Sequence, residues 1–107
     1  MKERRKMINS QVIEKSQLVA QAKGQIVSDM GGEKVMLSIQ NSKYYNLGEV
    51  GGDIWEELKQ PMTVSNLILR LTEKYEVEKD VCEQQVIHFL TSLKAEGLLL
   101  IQDAPNK

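Results

Sequence analysis

Glu33-Lys34-Val35-Met36-Leu37-Ser38-Ile39-Gln40-Asn41-Ser42-Lys43-Tyr44-Tyr45-Asn46-Leu47 is the stretch that decides the architecture. Val35, Leu37 and Ile39 alternate with Met36 and Ser38, the period of two that marks a half-buried strand. Asn41-Ser42 is a turn signal, and Lys43 to Leu47 reads as the next strand. Upstream, Gln25 to Met30 leads into Gly31-Gly32, a pair able to take the positive backbone angles of a tight hairpin. Residues 25–47 therefore read as a three-stranded antiparallel meander. Leu18-Val19-Ala20 is a further short strand candidate.

After Leu47 the apolar period becomes helical. Val50, Ile54, Trp55 and Leu58 share one face, Asn46 with Glu49 resembles a capping box, and Pro61 ends the element. Thr63 is the next cap candidate, ahead of Val64, Leu67, Ile68, Leu71 and Tyr75. Asp80 with Glu83 gives a third cap signal, ahead of Cys82, Val86, Phe89, Leu90 and Leu93. Gly97 stands where a helix-ending glycine belongs, and Leu98 to Ile101 is a short apolar run that returns to the core. The order predicts an α+β fold, winged helix-turn-helix-like, with a three-stranded antiparallel sheet followed by three helices. Residues 1–16 read as a flexible N-terminal segment, 17–102 as one domain and 103–107 as a polar tail.

Composition bounds what such a domain does. The chain has 107 residues, enough for one modest core. Its 14 basic and 15 acidic residues leave a net charge of −1, so no global field holds a polyanion. Lys2, Arg4, Arg5 and Lys6 form a basic N-terminal run, read as a solvated terminus. A lone cysteine, Cys82, has no internal disulfide partner, which fits a reducing cytoplasm. No apolar run approaches the roughly 20 residues of a membrane span.

Reactive groups that would converge on a substrate are not apparent. Cys82 and His88 are the only thiol and imidazole. Six residues of helix turn the side chain by about 600°, leaving the two roughly 120° apart and unsuited to a nucleophile pair. One His and one Cys do not make a tetrahedral zinc site either. Gly48-Glu49-Val50-Gly51-Gly52 looks like a phosphate loop only superficially, because the Walker lysine is missing. Its glycines read instead as a place where the first helix packs closely. The expectation is a protein without catalysis, cofactor or metal.

A helix-turn-helix outline also invites a DNA-binding reading. The third helix, residues 80–96, carries Asp80, Glu83 and Glu96 against Lys94 alone, a formal charge of −2 with no arginine. Phosphate contacts would have little to draw on. A winged-helix transcription regulator stands as the alternative, with no nucleic acid as the primary expectation.

Lys43-Tyr44-Tyr45-Asn46-Leu47 followed by Val50, Gly51, Ile54 and Trp55 resembles the aromatic–aromatic–x–Leu…Val-Gly…Ile-Trp signature of PqqD-like proteins. Thr63-Val64 with Leu67, Leu71, Tyr75 and Val77 is similar to the same family's second helix. Val86, Phe89, Leu90, Leu93, Gly97 and Leu98 resemble its closing helix. One departure is Leu47-Gly48, where the family often has Leu-Asn. The resemblance implies a recognition element for ribosomally made precursor peptides, most like the standalone leader-binding protein of lasso-peptide clusters. It implies that the leader adds as a strand beside the third strand, against the third helix. The implied partners are the leader peptide, a leader peptidase and a cyclase.

On that reading the peptide-binding residues are Lys43, Tyr44, Tyr45, Asn46 and Leu47 on the strand. On the helix they are Val81, Cys82, Gln85, Val86 and Phe89. Tyr45, Leu47, Leu90 and Leu93 are also core candidates, while alternation puts Tyr44 on the face opposite Tyr45.

Overall fold

The computed structural model describes residues 13–103. The basic run at residues 2–6 and most of the polar tail lie outside them. The elements in chain order are β1 (Leu18–Gln21), β2 (Gln25–Met30), β3 (Glu33–Ser38), β4 (Lys43–Leu47), α1 (Gly48–Glu57), β5 (Met62–Thr63), α2 (Val64–Tyr75), α3 (Lys79–Ala95) and β6 (Leu99–Gln102). The α+β class holds. The winged-helix outline is approximate, because the strands form two three-stranded antiparallel sheets, β5-β1-β6 and β2-β3-β4.

The β2-β3-β4 sheet is the meander read from the sequence. Gly31 and Gly32 take φ of +69° and +91°, and the Gly32 N–H donates to Asp29 Oδ1 at 3.1 Å, closing the first hairpin. The second hairpin places Met36 opposite Tyr45 and Leu37 opposite Tyr44. Alternation along β3 is as expected, but the buried set is Met36 and Ser38, both 0% exposed. Val35 and Leu37 are half-buried on the outer face, and Ile39 is exposed beyond the strand. Ser38 tolerates burial because its hydroxyl accepts the Asn41 N–H at 3.2 Å and anchors the turn.

The other sheet joins segments far apart in sequence. β1 pairs with β6 from Leu18–Gln102 to Gln21–Leu99, and with β5 through Leu18–Thr63 and Val19–Met62. The apolar run after Gly97 thus returns to the core as a strand. The core also includes Ile13, and the carbonyls of Lys15 and Gln17 accept N–H donors from Ser65 and Val64.

Helix boundaries follow local chemistry, with two corrections. Thr63 caps α2, its hydroxyl accepting the Asn66 N–H at 3.1 Å. Asp80 and Glu83 do not cap α3. The helix begins one residue earlier, Glu78 holds the cap position without a side-chain bond, and Glu83 pairs with Lys15 at 3.2 Å. At α1, Asn46 Oδ1 accepts the Gly48 N–H at 3.0 Å, but Leu47 occupies the cap position and Glu49 closes no box. Ile54, Trp55 and Leu58 from α1, Leu67, Ile68 and Leu71 from α2, and Val86, Leu90 and Leu93 from α3 fill one core. No helix among the described residues is long and apolar enough to cross a membrane.

Candidate functional site

Among the described residues β4 is the last strand of its sheet and pairs only with β3. In an antiparallel pair, alternate residues turn their N–H and C=O away from the neighbour, so β4 presents an open polar edge. Two ties hold this strand beside α3. At its beginning, Tyr45 Oη donates to Glu96 Oε1 at 2.7 Å, Lys43 Nζ lies 3.8 Å from the same carboxylate, and Asn41 Nδ2 donates to the Glu96 carbonyl at 2.8 Å. Beyond its end, α1 closes on Phe89. A Cβ on Gly51 would sit 2.8 Å from Phe89 Cε1 and 3.5 Å from Leu47 Cβ. Gly51 is therefore a close-approach residue, as the sequence suggested, and what approaches it is the α3 aromatic.

The α1–α3 seam carries two apolar cavities. The larger, about 320 Å³, is lined by Val50, Gly51 and Ile54 from α1 and by Gln84, Gln85, His88 and Phe89 from α3. The smaller, about 90 Å³, is lined by Val50, Leu71, Tyr75, Val77, Cys82, Gln85 and Val86. Val50 and Gln85 border both, so the two form one groove that runs past the end of β4 toward the α2–α3 turn. A third recess of about 500 Å³ lies near α1's C-terminal end, but Gln21, Lys23, Gln25, Glu56 and Lys59 make it polar and solvated.

The sequence-derived residues distribute as follows. Cys82, Gln85, Val86 and Phe89 line the groove. Val81 is 46% exposed and lines neither cavity, lying on the same flank of α3 as Gln84, Gln85 and His88. On β4, Tyr45 and Leu47 are half-buried and pack on the core, while Lys43 and Asn46 are exposed. Tyr44 is 75% exposed, on the outer face beside Leu37. The α1 and α2 side of the groove escaped sequence reasoning, as did Gln84 and His88. One signal was available: Val50, on the apolar face of α1, remains 38% exposed.

Electrostatics sharpen the small-cavity end. Tyr75 donates its hydroxyl to Asp53, and Lys74 Nζ lies 3.1 Å from Asp53 Oδ2. Burial pushes the Tyr75 phenol up to about 12, helped by the hydrogen bond to Asp53 and by the Asp53 and Glu49 charges. Burial opposes ionisation of Asp53, but the bonds from Tyr75 and Lys74 outweigh it and hold the carboxyl below its ordinary range. Cys82 is buried, its Sγ 3.7 Å from the Ile68 carbonyl. Among the described residues no group of His, Cys, Asp and Glu could hold a metal ion.

Comparison with known proteins places this geometry. Residues 33–99 match the family model of coenzyme PQQ synthesis protein D. Among solved structures, TbiB1 in complex with the TbiA(beta) leader peptide is 24% identical, with 75% of this chain and 93% of that chain covered and a TM-score of 0.67. A lasso peptide synthetase B1 complexed with its leader peptide is also 24% identical, with 77% and 96% covered and a TM-score of 0.66. The PqqD truncation of Methylobacterium extorquens PqqCD, a functional and stand-alone recognition element, is 15% identical, with 84% and 96% covered and a TM-score of 0.71. At these identities the three structures show the fold. No curated protein matches the chain.

Proposed function

The chain belongs to the PqqD family, and on that premise we propose that it binds the leader region of a ribosomally made precursor peptide without catalysis. The leader adds as a strand to the open edge of β4, against α3, and the loaded protein delivers the precursor to a leader peptidase and a cyclase, as in lasso-peptide biosynthesis. The observation that carries this reading is the unpaired edge of β4 held alongside α3, continuous with an apolar groove. Two of the similar structures are leader-peptide complexes, which supports it further.

The division of labour follows from magnitudes. Each backbone hydrogen bond contributes about 0.5–1.5 kcal/mol net, so four or five supply only a few kcal/mol. Apolar side chains entering the groove supply the rest, at roughly 25 cal/mol per Å² buried. Lys43, Tyr44, Tyr45, Asn46 and Leu47 contribute their backbone, and Val81, Cys82, Gln85, Val86 and Phe89 form the helical wall. Holding the leader raises the effective concentration of the attached core peptide at an enzyme, which is a scaffold's contribution to rate. The buried lone thiol suits the reducing cytoplasm in which such synthesis takes place.

The test is an amide chemical-shift titration of the labelled protein with the leader peptide of the precursor encoded beside it. Saturable shifts concentrated in residues 43–47 and 81–89 are expected. A titration that leaves β4 unmoved at high peptide excess overturns strand addition. Val81→Asp and Gln85→Ala, both at exposed positions, should weaken binding severalfold while stability stays within about 0.5 kcal/mol. Affinities equal to the parent's would remove these two residues from the wall.

A further inference from the structure

We propose that the bound peptide has a second anchor past the strand-pairing segment: a small apolar side chain in the smaller cavity, flanked by a lysine or arginine. This rests on the leader-binding reading and specifies the chemistry of the ligand it takes. The groove does not stop where β4 stops. From Phe89 and Gly51 it continues through Val50 and Gln85 to Tyr75 and Val77. The end cavity, at about 90 Å³, holds a group the size of an alanine, valine or proline side chain and not an aromatic ring. Val77 and Val50 stay 41% and 38% exposed at its mouth, so an apolar ligand atom there removes protein surface from water as well.

Charge complementarity selects the ligand's polar neighbour. Glu49 adjoins Val50 and is near enough to Tyr75 to act on its ionisation, and Glu76 and Glu78 flank Val77. All three are exposed, and none has an ion pair among the described residues. Of the cations near this end, Lys74 is paired with Asp53, Lys34 with Asp29, and Lys79 beside Glu78 is exposed. Among the described residues no lysine or arginine lines either cavity. The opposite end of the site differs, since there Glu96 is met by Lys43 and Tyr45. Glu49, Glu76 and Glu78 outnumber Lys79 there, so a cation following the apolar anchor meets net negative charge and an acidic residue meets net repulsion. At low salt this discriminates a basic from a neutral residue by about tenfold, fading as screening grows.

The experiment is selection of a displayed library of random 12-residue peptides on the full chain, followed by titration of one labelled winner. That winner is made with Lys, Gln or Glu at the enriched basic position. Expected are winners with a small apolar residue beside Lys or Arg, and affinities in the order Lys, Gln, Glu. The Lys advantage should shrink at least threefold in Glu49→Gln/Glu78→Gln, whose exposed positions leave the fold intact. Winners that shift residues 43–47 but show no charge preference overturn this proposal and leave leader binding standing. No enriched peptide, or winners that leave β4 unmoved, overturn both. Two controls identify other occupants, and either would also overturn the proposal. One is a free protein that light scattering shows to be a dimer dissociated by peptide. The other is tighter Gln-peptide binding after Arg4, Arg5 and Lys6 are replaced by Gln.

Discussion

The two sheets each have three strands and serve opposite ends. In β5-β1-β6 the central strand is paired on both sides, and its partners come from residues 62–63 and 99–102. Val19 on it and Leu98 and Leu99 beside it are buried. This sheet closes the chain on itself. The β2-β3-β4 sheet is made of consecutive hairpins, leaves β4 unpaired on one side among the described residues, and shows Ile26, Leu37 and Tyr44 in one cross-strand row on its outer face. Ile26 and Tyr44 in that row are 53% and 75% exposed. An edge and an apolar face left open are liabilities for a monomer, and they persist where binding uses them. One sheet holds the fold together; the other, on the proposed reading, meets the ligand.

Substitutions that separate stability from binding test this division. The largest effect should come from the closed side. Leu98 is 2% exposed, and Leu98→Ala removes buried methyl groups where β6 enters the core. A loss of about 2–5 kcal/mol in urea unfolding is expected, with unchanged peptide affinity for the molecules that remain folded. A parallel loss of affinity would mean that the two sheets are coupled.

Phe89 lies on both sides of the division. It packs on the core, lines the larger cavity and abuts Gly51, yet it is only half-buried. Phe89→Ala should therefore cost less than a fully buried phenylalanine, about 1–3 kcal/mol against the usual 3–5. Peptide affinity should fall by at least tenfold, because the ring forms the groove wall nearest the β4 edge. Equilibrium unfolding and titration on the same preparation separate the two losses.

The contrast also explains what was legible in the sequence. Local signals were: the Gly31-Gly32 hairpin, the Thr63 cap, the Gly97 stop and the three apolar helix stripes each depend on neighbours within a few residues. The β5-β1-β6 sheet was not, because Leu18–Gln21 and Leu99–Gln102 are short and their pairing is decided by how α1, α2 and α3 pack between them. The facing of β3 misleads for a related reason. Val35 and Leu37 are the more apolar pair, yet Met36 fills the core and Ser38 is satisfied by its own turn. Of the α3 lining, Cys82, Gln85, Val86 and Phe89 were readable from helical spacing, while Gln84 and His88 were not. The α1 wall and the Glu96 tie were not, since both depend on contacts between residues 38 or more positions apart.

Tyr75 is half-buried, lines the smaller cavity and is bonded to Asp53 across the α1–α2 contact. Its phenol titrates at about 12 in the folded chain, against an ordinary value of 10.0. A raised folded value means that the native state holds its proton after the unfolded chain has lost it. The stabilisation is fully present below pH 10.0 and is lost as pH rises toward about 12. Asp53 works in the opposite sense: its lowered value gives stability that is present above the ordinary carboxylate range and lost as pH falls through the folded value. Tyr75→Phe removes the phenol's alkaline contribution and weakens the acid-side one, because Asp53 keeps Lys74 but loses its other donor. Thermal unfolding across the alkaline window should therefore fall less steeply for Tyr75→Phe than for the parent. If the two curves remain parallel there, the Tyr75–Asp53 bond does not tie α2 to α1, and that contact is held by apolar packing and the Lys74–Asp53 pair.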